Sequence, residues 1–424
     1  MDEMTLLAPV TVTGMSMITA QGACLADSWA GICTAANALR PWNDDADDKL
    51  GRLQVASCGE LWCPADMPFK LWAGLARTQQ LAALAADEAL TSAGLPRRLA
   101  PSARPMGLFL ATTVCGMDKN EQFYRQYRQN PQIADSRLMR RIQSYEVLTF
   151  IARRHRLTGP RILFLSTCVG SAMAIGAACD AIRLGRVDIA LAGGAEALCR
   201  LLLSGFNSLR LVAPNGCQPF DAHRPGITVG EGAALLVLES AAHAKARGAK
   251  PIGYVRGFAA TCDAHHITAP EPGGHWAASA IQAAVEKSGL RPGDIEYVNA
   301  HGTGTRDNDA MEAKAIPTAF AAMDTAVPPV SSTKRLTGHT FAAAGAIEAV
   351  ICLQAMATGI LPPNAGLAEP DPACQLPLVL QSRPARTDAA LSCNFAFGGN
   401  NTALVFSRHF ETGGGGMVGK GARG

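Results

Sequence analysis

The most constraining feature of this 424-residue chain is its alternation of short apolar runs, rich in β-branched residues, with long alanine-rich stretches. Strands covered on both faces have such continuous apolar runs, and the stretches between them have helical spacing. The pattern predicts an α/β protein with buried sheets. In the first part of the chain it predicts strands at 10–17, 106–113, 161–166, 189–193 and 233–238, and helices at 71–93, 170–184 and 241–247.

A second set of predicted elements follows a short turn at 247–251. It has strands at 252–260, 296–300, 327–331 and 389–395, and helices at 276–288, 309–320 and 343–358. Each set opens with a strand and has loops at strand ends that contain candidate reactive residues. We therefore predict two similar halves, 1–254 and 255–410, followed by a disordered glycine-rich tail at 411–424.

Composition limits the possible functions. With 48% hydrophobic residues, 17% charged residues and a net charge of +3, the chain is a globular protein with no nucleic-acid signature. Its thirteen cysteines are odd in number and contain no Cys-x-x-Cys pair, which predicts free thiols in a reducing cytoplasm and no metal site. The acidic N-terminus is interrupted by Pro9 and lacks the pattern of a signal peptide. The apolar segment 341–361 contains Glu348, which favours a buried helix over a membrane span.

Cys168 lies between an apolar strand and a helix that begins with small residues, in RILFLSTCVGSAMAIGAACDAIRLG. A thiol at a helix N-terminus faces unpaired N–H groups, so we expect a lowered pKa and a reactive thiolate. The alternative is that Cys168 is one more buried structural cysteine.

Two histidines follow strands in glycine-rich loops. His301 lies in YVNAHGTGT, and His339 lies in SSTKRLTGHTFAAAG just before a helix. Single histidines are more often structural than catalytic, but glycine-rich strand ends allow close approach to a ligand. Lys334 is expected to pair with a carboxylate such as Glu312, with a solvated lysine as the alternative. One cysteine and two histidines in such contexts indicate a thiolate assisted by imidazole donors.

Seven motifs in order resemble those of the β-ketoacyl-acyl carrier protein synthases, over nearly the whole chain to about residue 408. The motifs are STCVGSAMAIGAACDAIRLG, LAGGAEA, PFDAHRPGITVGEGAALLVLE, DAHHITAPEPGG, VNAHGTGTRDNDAMEAKAI, SSTKRLTGHTFAAAGAIEAV and SCNFAFGGNNTALVF. The resemblance implies a thiolase-like αβαβα fold, a dimer, and an acyltransferase that condenses an acyl-cysteine thioester with malonyl-acyl carrier protein. It implies no cofactor beyond the phosphopantetheine of the carrier protein.

The resemblance also implies roles for individual residues. Cys168 would accept the acyl chain, and the Nε2–H groups of His301 and His339 would stabilise the enolate formed on decarboxylation. The remaining roles are an ion pair of Lys334 with Glu312, an oxyanion hole of the backbone N–H groups of Cys168 and Phe397, a gate at Phe395, a pantetheine site at Thr268, Thr303 and Thr305, and an acyl pocket lined by Val114 and Cys115.

Departures from the family pattern concern the entrance. Pro225 stands where the family usually has Asp, which removes a carboxylate and an N–H donor. Arg306 and Asp307 stand in a TGTRDND segment where TSTPxxD is usual. The arginine-rich segment 119–156 is either a solvated helical face or a docking surface for an acidic carrier protein.

Alternative functions are a thiolase-fold acyltransferase without decarboxylation and a supporting subunit of a heterodimeric ketosynthase. The intact trio of Cys168, His301 and His339 argues against a subunit that only binds. A papain-like hydrolase would need one histidine oriented by Asn or Asp, which the glycine-flanked loops do not offer. The pathway, whether fatty-acid elongation or a specialised polyketide or aryl-polyene route, stays open, as does the choice between homodimer and heterodimer.

Overall fold

The computed structural model describes residues 8–42, 50–100 and 104–410, so the predicted tail at 411–424 lies outside the described residues. Its strands are β1 Val10–Ile18, β2 Arg40–Pro41, β3 Gln54–Val55, β4 Gly107–Ala111, β5 Arg161–Phe164, β6 Ile189–Glu196, β7 Gly232–Glu239, β8 Gly253–Cys262, β9 Tyr297–Asn299, β10 Val330–Ser331, β11 Ile360–Leu361, β12 Arg383–Pro384, β13 Ala389–Ala396 and β14 Asn400–Ser407.

The α-helices surround these strands. They are α1 Leu25–Cys33, α2 Phe69–Ala73, α3 Arg77–Ser92, α4 Met117–Gln129, α5 Tyr145–His155, α6 Gly170–Arg183, α7 Arg200–Ser208, α8 Ala241–Ala246, α9 His275–Ser288, α10 Arg306–Ala322, α11 Lys334–Thr337 and α12 Ala344–Thr358.

Ten strands form one sheet in the order β10-β9-β13-β14-β8-β1-β7-β6-β4-β5. The five strands before residue 250 and the five after it have the same arrangement. In each half the second strand lies between the third and the fourth and is parallel to both, and the fifth is antiparallel to its neighbours. Antiparallel pairing of β1 with β8 joins the halves. The predicted α/β class with two related halves is confirmed.

The two halves of the sheet and three sets of helices form five layers. Helices α3 and α5 cover the outer face of the first half, α9 and α10 cover the outer face of the second, and α6 and α12 pack together between them. The central helices approach each other closely at Gly345. A Cβ added at this residue would lie only 2.8 Å from the backbone nitrogen of Ala172. Ser171 Oγ accepts a 2.8 Å hydrogen bond from the N–H of Ala346. The apolar stretch Phe341–Thr358 is 83% buried, so it is a core helix, as predicted.

The structure differs from the prediction at one helix and at one strand of the large sheet. The expected helix at 71–93 is divided into α2 and α3, because Ala76 is extended and its N–H is accepted by the side chain of Gln79, a helix start. Strand β14 was not predicted. It follows β13 through a turn in which Gly398 and Gly399 have positive φ, and it pairs with both β13 and β8.

Candidate active site

Cys168 lies in a tight turn between β5 and α6. The turn is a 3₁₀ segment, Thr167–Val169, and Thr167 has a φ of +45°, a left-handed conformation that costs energy for a β-branched residue. The first N–H groups of a helix have no intrahelical partner, and the N–H of Cys168 is in this position. The side chain is 7% exposed and lines a cavity of about 510 Å³. The predicted position between strand and helix is therefore correct.

The two histidines reach the same cavity from the second half. His301 follows β9, and its N–H and that of Gly302 donate to the Glu312 carboxylate at 2.6 and 2.7 Å. His339 follows α11, where Gly338 has a φ of +70°. The N–H of His339 donates to the carbonyl oxygen of Thr228 at 2.7 Å, which ties this loop to the first half.

The structure brings the three predicted catalytic side chains together. The Cys168 sulfur and one ring nitrogen of each histidine all lie within 4.8 Å of one another. The imidazole rings are 5.3 Å apart and almost perpendicular. This geometry would also suit metal ligation, but the Lys334 ammonium 3.2 Å from His301 Nδ1 disfavours a second cation at this site.

Lys334 is buried beside the histidines, with 1% of its side chain exposed. Its ammonium group donates to the carbonyl oxygen of His301 at 2.6 Å and forms an ion pair with Glu348, whose other oxygen accepts from the Asn394 amide. The structure thus gives Lys334 a different partner from the predicted one. The predicted pairing with Glu312 is wrong because both Glu312 oxygens accept backbone N–H groups.

Hydrogen bonding fixes the protonation of both imidazoles. His301 Nδ1 faces the Lys334 ammonium, and His339 Nδ1 accepts from the N–H of Phe341 at 3.3 Å. Each Nδ1 is thus assigned as an acceptor, which places the proton of the neutral ring on Nε2. Burial, and then the charge of Lys334, hold the pKa of both histidines well below the usual value of 6.5. The site therefore presents two neutral Nε2–H donors.

The Cys168 thiol lies in a buried environment that disfavours its ionisation. Burial raises its pKa to about 12, and the opposing effect of Lys334 is smaller. The pKa of Cys168 is thus raised and not lowered as expected, because burial disfavours the charged thiolate.

The residues predicted to bind pantetheine line the cavity together. Thr268, Thr303 and Thr305 are all at its wall, and the hydroxyls of Thr303 and Thr305 are 2.9 Å apart. The predicted acyl-pocket residues are not at the wall, where Thr113 lies instead. Val114 packs in the apolar cluster that contains Cys168, whereas Cys115 points into the core beneath α3.

Two phenylalanines, one on β13 and one in the turn after it, line the cavity. Phe395 belongs to β13, is buried and lies edge-on to His301 with the ring centres 5.9 Å apart, so it has little room to swing. Phe397 lies in the following turn, is partly exposed and stacks on Phe206 of α7. The structure does not favour the predicted gate at Phe395, and Phe397 is the better candidate.

Several site residues were not predicted. Leu202 and Phe206 of α7 line the cavity, and Phe341, with a φ of +46°, stacks on His339. Glu348 was predicted to lie in a buried helix but was not predicted to be part of the site. A charged residue in a helix as apolar as 344–358 is a signal for a buried polar partner, and that signal could have identified the pair with Lys334.

Comparisons with known proteins agree with this geometry. The family description "Beta-ketoacyl synthase, N-terminal domain" matches residues 7–244, and "Beta-ketoacyl synthase, C-terminal domain" matches residues 252–368. Nodulation protein E of Rhizobium leguminosarum bv. trifolii is 35% identical over 408 residues, which cover 94% of this chain and 98% of that protein. The 3-oxoacyl-[acyl-carrier-protein] synthase 2 of Synechocystis sp. is 34% identical over 412 residues, with the same coverages. A solved structure of the ishigamide ketosynthase/chain length factor is 30% identical, with a TM-score of 0.86 over 95% of this chain and 100% of that chain.

Proposed function

This chain belongs to the β-ketoacyl synthase family of acyltransferases, and from that premise we propose that Cys168, His301 and His339 carry out a decarboxylative condensation of carrier-bound acyl and malonyl groups. The observation that carries the proposal is the convergence of one ring nitrogen of each histidine with the Cys168 sulfur within 4.8 Å, while both Nδ1 atoms act as acceptors. A cysteine hydrolase would need an imidazole that accepts the thiol proton. Here both imidazoles are arranged as donors.

The first step transfers the acyl group to the enzyme. The Cys168 sulfur attacks the thioester carbonyl, the bond from that carbon to the pantetheine sulfur breaks, and the thiol proton passes to the departing sulfur. The oxyanion formed on the way is held by the N–H groups of Cys168 and Phe397. Because the thiol proton moves to the departing sulfur, the step needs no permanently charged Cys168 thiolate in a buried site.

The second step generates the carbon nucleophile. A malonyl thioester enters, its thioester oxygen accepts from His301 Nε2–H and His339 Nε2–H, and loss of carbon dioxide leaves the electron pair on the enolate. The enolate carbon then attacks the acyl-Cys168 carbonyl, the carbon–sulfur bond to Cys168 breaks, and the thiolate takes up a proton from solvent. The product is a 3-oxoacyl thioester two carbons longer than the acyl group that entered.

The carrier arm would lie along Thr268, Thr303 and Thr305, and movement of Phe397 would separate the acyl-binding and malonyl-binding states. The partner is an acyl carrier protein, as the name of the Synechocystis relative implies. The segment 119–156, which forms α4, a 3₁₀ turn and α5, stays a candidate docking surface.

A homologous subunit is the second proposed partner. Strand β5 is an edge of the ten-stranded sheet, and Ile162 and the nearby Leu165 are 43% and 58% exposed. An exposed apolar strand edge is a template for pairing with another chain. Either a second copy or a chain-length-factor-like homologue fits this edge, and the ishigamide ketosynthase/chain length factor supports the heterodimer.

All thirteen cysteines lie in the described residues and are free, which supports a cytoplasmic location.

Incubation with acyl carrier proteins of graded chain length and with malonyl carrier protein tests the proposal, with the masses of intact enzyme and product as the readout. We expect an acyl adduct on Cys168, absent from the Cys168→Ala variant, followed by a 3-oxoacyl product. An adduct without condensation would favour the non-decarboxylating acyltransferase. No adduct would contradict catalysis by this chain alone and would favour the supporting-subunit alternative.

A further inference from the structure

Three arginines, Arg210, Arg224 and Arg306, lie at the wall of the catalytic cavity. Arg224 is a structural residue: it is 5% exposed, forms a 2.5 Å ion pair with Asp371, and donates to the carbonyl oxygens of Thr305 and Arg306. Arg224 therefore fixes the backbone at the start of α10, although the neighbouring Pro225 has no N–H group to donate. The backbone of Arg306 is held in place while its side chain stays at the wall.

Arg210 and Arg306 differ from Arg224 in having no side-chain partner within the described part of the chain. Both are exposed, and among the described residues neither guanidinium forms a hydrogen bond or an ion pair. Arg306 is the first residue of α10, where the positive end of the helix dipole disfavours a cation. Helix stability thus gives no reason for an arginine there, and an anion from outside the chain would relieve the repulsion.

The loop from His301 to Arg306 orders the cavity from its catalytic end to its rim. His301 faces the Cys168 sulfur, Thr303 and Thr305 follow with their hydroxyls in contact, and Arg306 comes next and is solvent-exposed. A thioester placed at Cys168 with its arm along the threonines is directed toward the rim of the cavity, where Arg306 lies. In a carrier-bound substrate that end is a phosphate group.

We propose that Arg306, together with Arg210 at the same cavity wall, binds the phosphate of the phosphopantetheine arm and makes this enzyme select phosphorylated arms. The inference rests on the proposed function and names specificity residues for it. A guanidinium suits this role because its planar donors can bind two phosphate oxygens at once, and a charged hydrogen bond of this kind is stronger than a neutral one. Because the rim is solvated, we expect an effect of about threefold to tenfold rather than a complete dependence.

The test compares two small substrates, an acyl-pantetheine and the same acyl-4′-phosphopantetheine, without a carrier protein. The rate of Cys168 acylation, followed by intact mass, gives kcat/KM for each. We expect the wild type to prefer the phosphorylated thioester by about threefold to tenfold, with the preference weakened by added salt. Arg306→Gln should remove most of the preference, Arg306→Lys should keep part of it, and Arg210→Gln should reduce it.

Arg186→Gln is the matched control, since Arg186 is an exposed arginine in the turn after α6 that does not line the cavity. It should leave both rates and their ratio unchanged. Equal rates for the two thioesters in the wild type, or an unchanged ratio in Arg306→Gln and Arg210→Gln, would overturn this inference alone. No acylation of Cys168 by either thioester would overturn the proposed function and this inference with it.

Discussion

Lys334 Nζ lies 3.2 Å from His301 Nδ1 and donates to the carbonyl oxygen of the same residue at 2.6 Å. The lysine thereby holds both the backbone and the ring of His301, and it keeps the donor Nε2–H directed at the cavity. Its charge is balanced by Glu348, which is also buried. We therefore expect Lys334 to act as a positioning residue for catalysis, and the structure makes it half of a buried ion pair.

Replacement of Lys334 by Met should slow malonyl decarboxylation by about 100-fold or more, because His301 loses the group that sets its tautomer. It should also lower the free energy of unfolding by about 3–5 kcal/mol, since Glu348 is left as an unpaired buried carboxylate. Urea denaturation and a carbon dioxide assay measure the two effects.

The double variant Lys334→Met with Glu348→Gln separates stability from positioning. Removal of both charges should recover most of the lost stability, because a buried pair contributes little net free energy. Decarboxylation should stay slow. Recovery of activity along with stability would contradict a positioning role for Lys334.

His301→Ala and His339→Ala should each reduce decarboxylation by about 100- to 1000-fold, the usual effect of removing one donor to a developing oxyanion. Neither change removes the thiol or the N–H groups around Cys168, so acylation from an acyl carrier protein should persist. Cys168→Ala should show the reverse, with no acylation and continued decarboxylation. Loss of acylation in correctly folded histidine variants would show that an imidazole acts as the base for Cys168.

Acid should destabilise the fold through the two catalytic histidines. Their pKa values are lowered in the folded state, so the unfolded chain takes up protons below pH 6.5 while the folded chain does not. Stability therefore falls as the pH decreases from 6.5, by up to about 1.4 kcal/mol per pH unit for each histidine. Urea midpoints at pH 7.5, 6.5 and 5.5 should show this slope, and His301→Asn with His339→Asn should reduce it. A slope unchanged in the double variant would contradict the assignment.

The contact between α6 and α12 should not accommodate a methyl group. In Gly345→Ala the new Cβ would lie 2.8 and 2.9 Å from the nitrogen and Cβ of Ala172, so the helices must separate, at a cost of about 1–3 kcal/mol. Gly205→Ala in α7 is the control, because nothing lies within 4 Å of its Cβ, and it should be neutral or stabilising by up to about 1 kcal/mol. Thermal unfolding compares the two, and equal shifts would contradict the predicted crowding.

Periodicity and composition predicted the fold class, the two halves and most strands to within a few residues, since each buried strand is a continuous apolar run. Strand β14 was missed because its polar start, Asn400–Asn401, reads as a turn and only pairing with β13 and β8 makes it a strand. In the site, Cys168, His301 and His339 were found from their loops and the resemblance. The partner of Lys334 was not, because Glu312 and Glu348 are both carboxylates on nearby helices and only three-dimensional packing decides between them.

The most direct test of the account is the ratio of carbon dioxide released to 3-oxoacyl product formed, measured with carboxyl-labelled malonyl carrier protein and enzyme acylated beforehand on Cys168. In the proposed mechanism decarboxylation and condensation share one site, with one nitrogen of each histidine within 4.8 Å of the sulfur, so we expect one carbon dioxide for each product. Loss of the acyl group from Cys168 to the carrier arm with no carbon dioxide released would contradict the account.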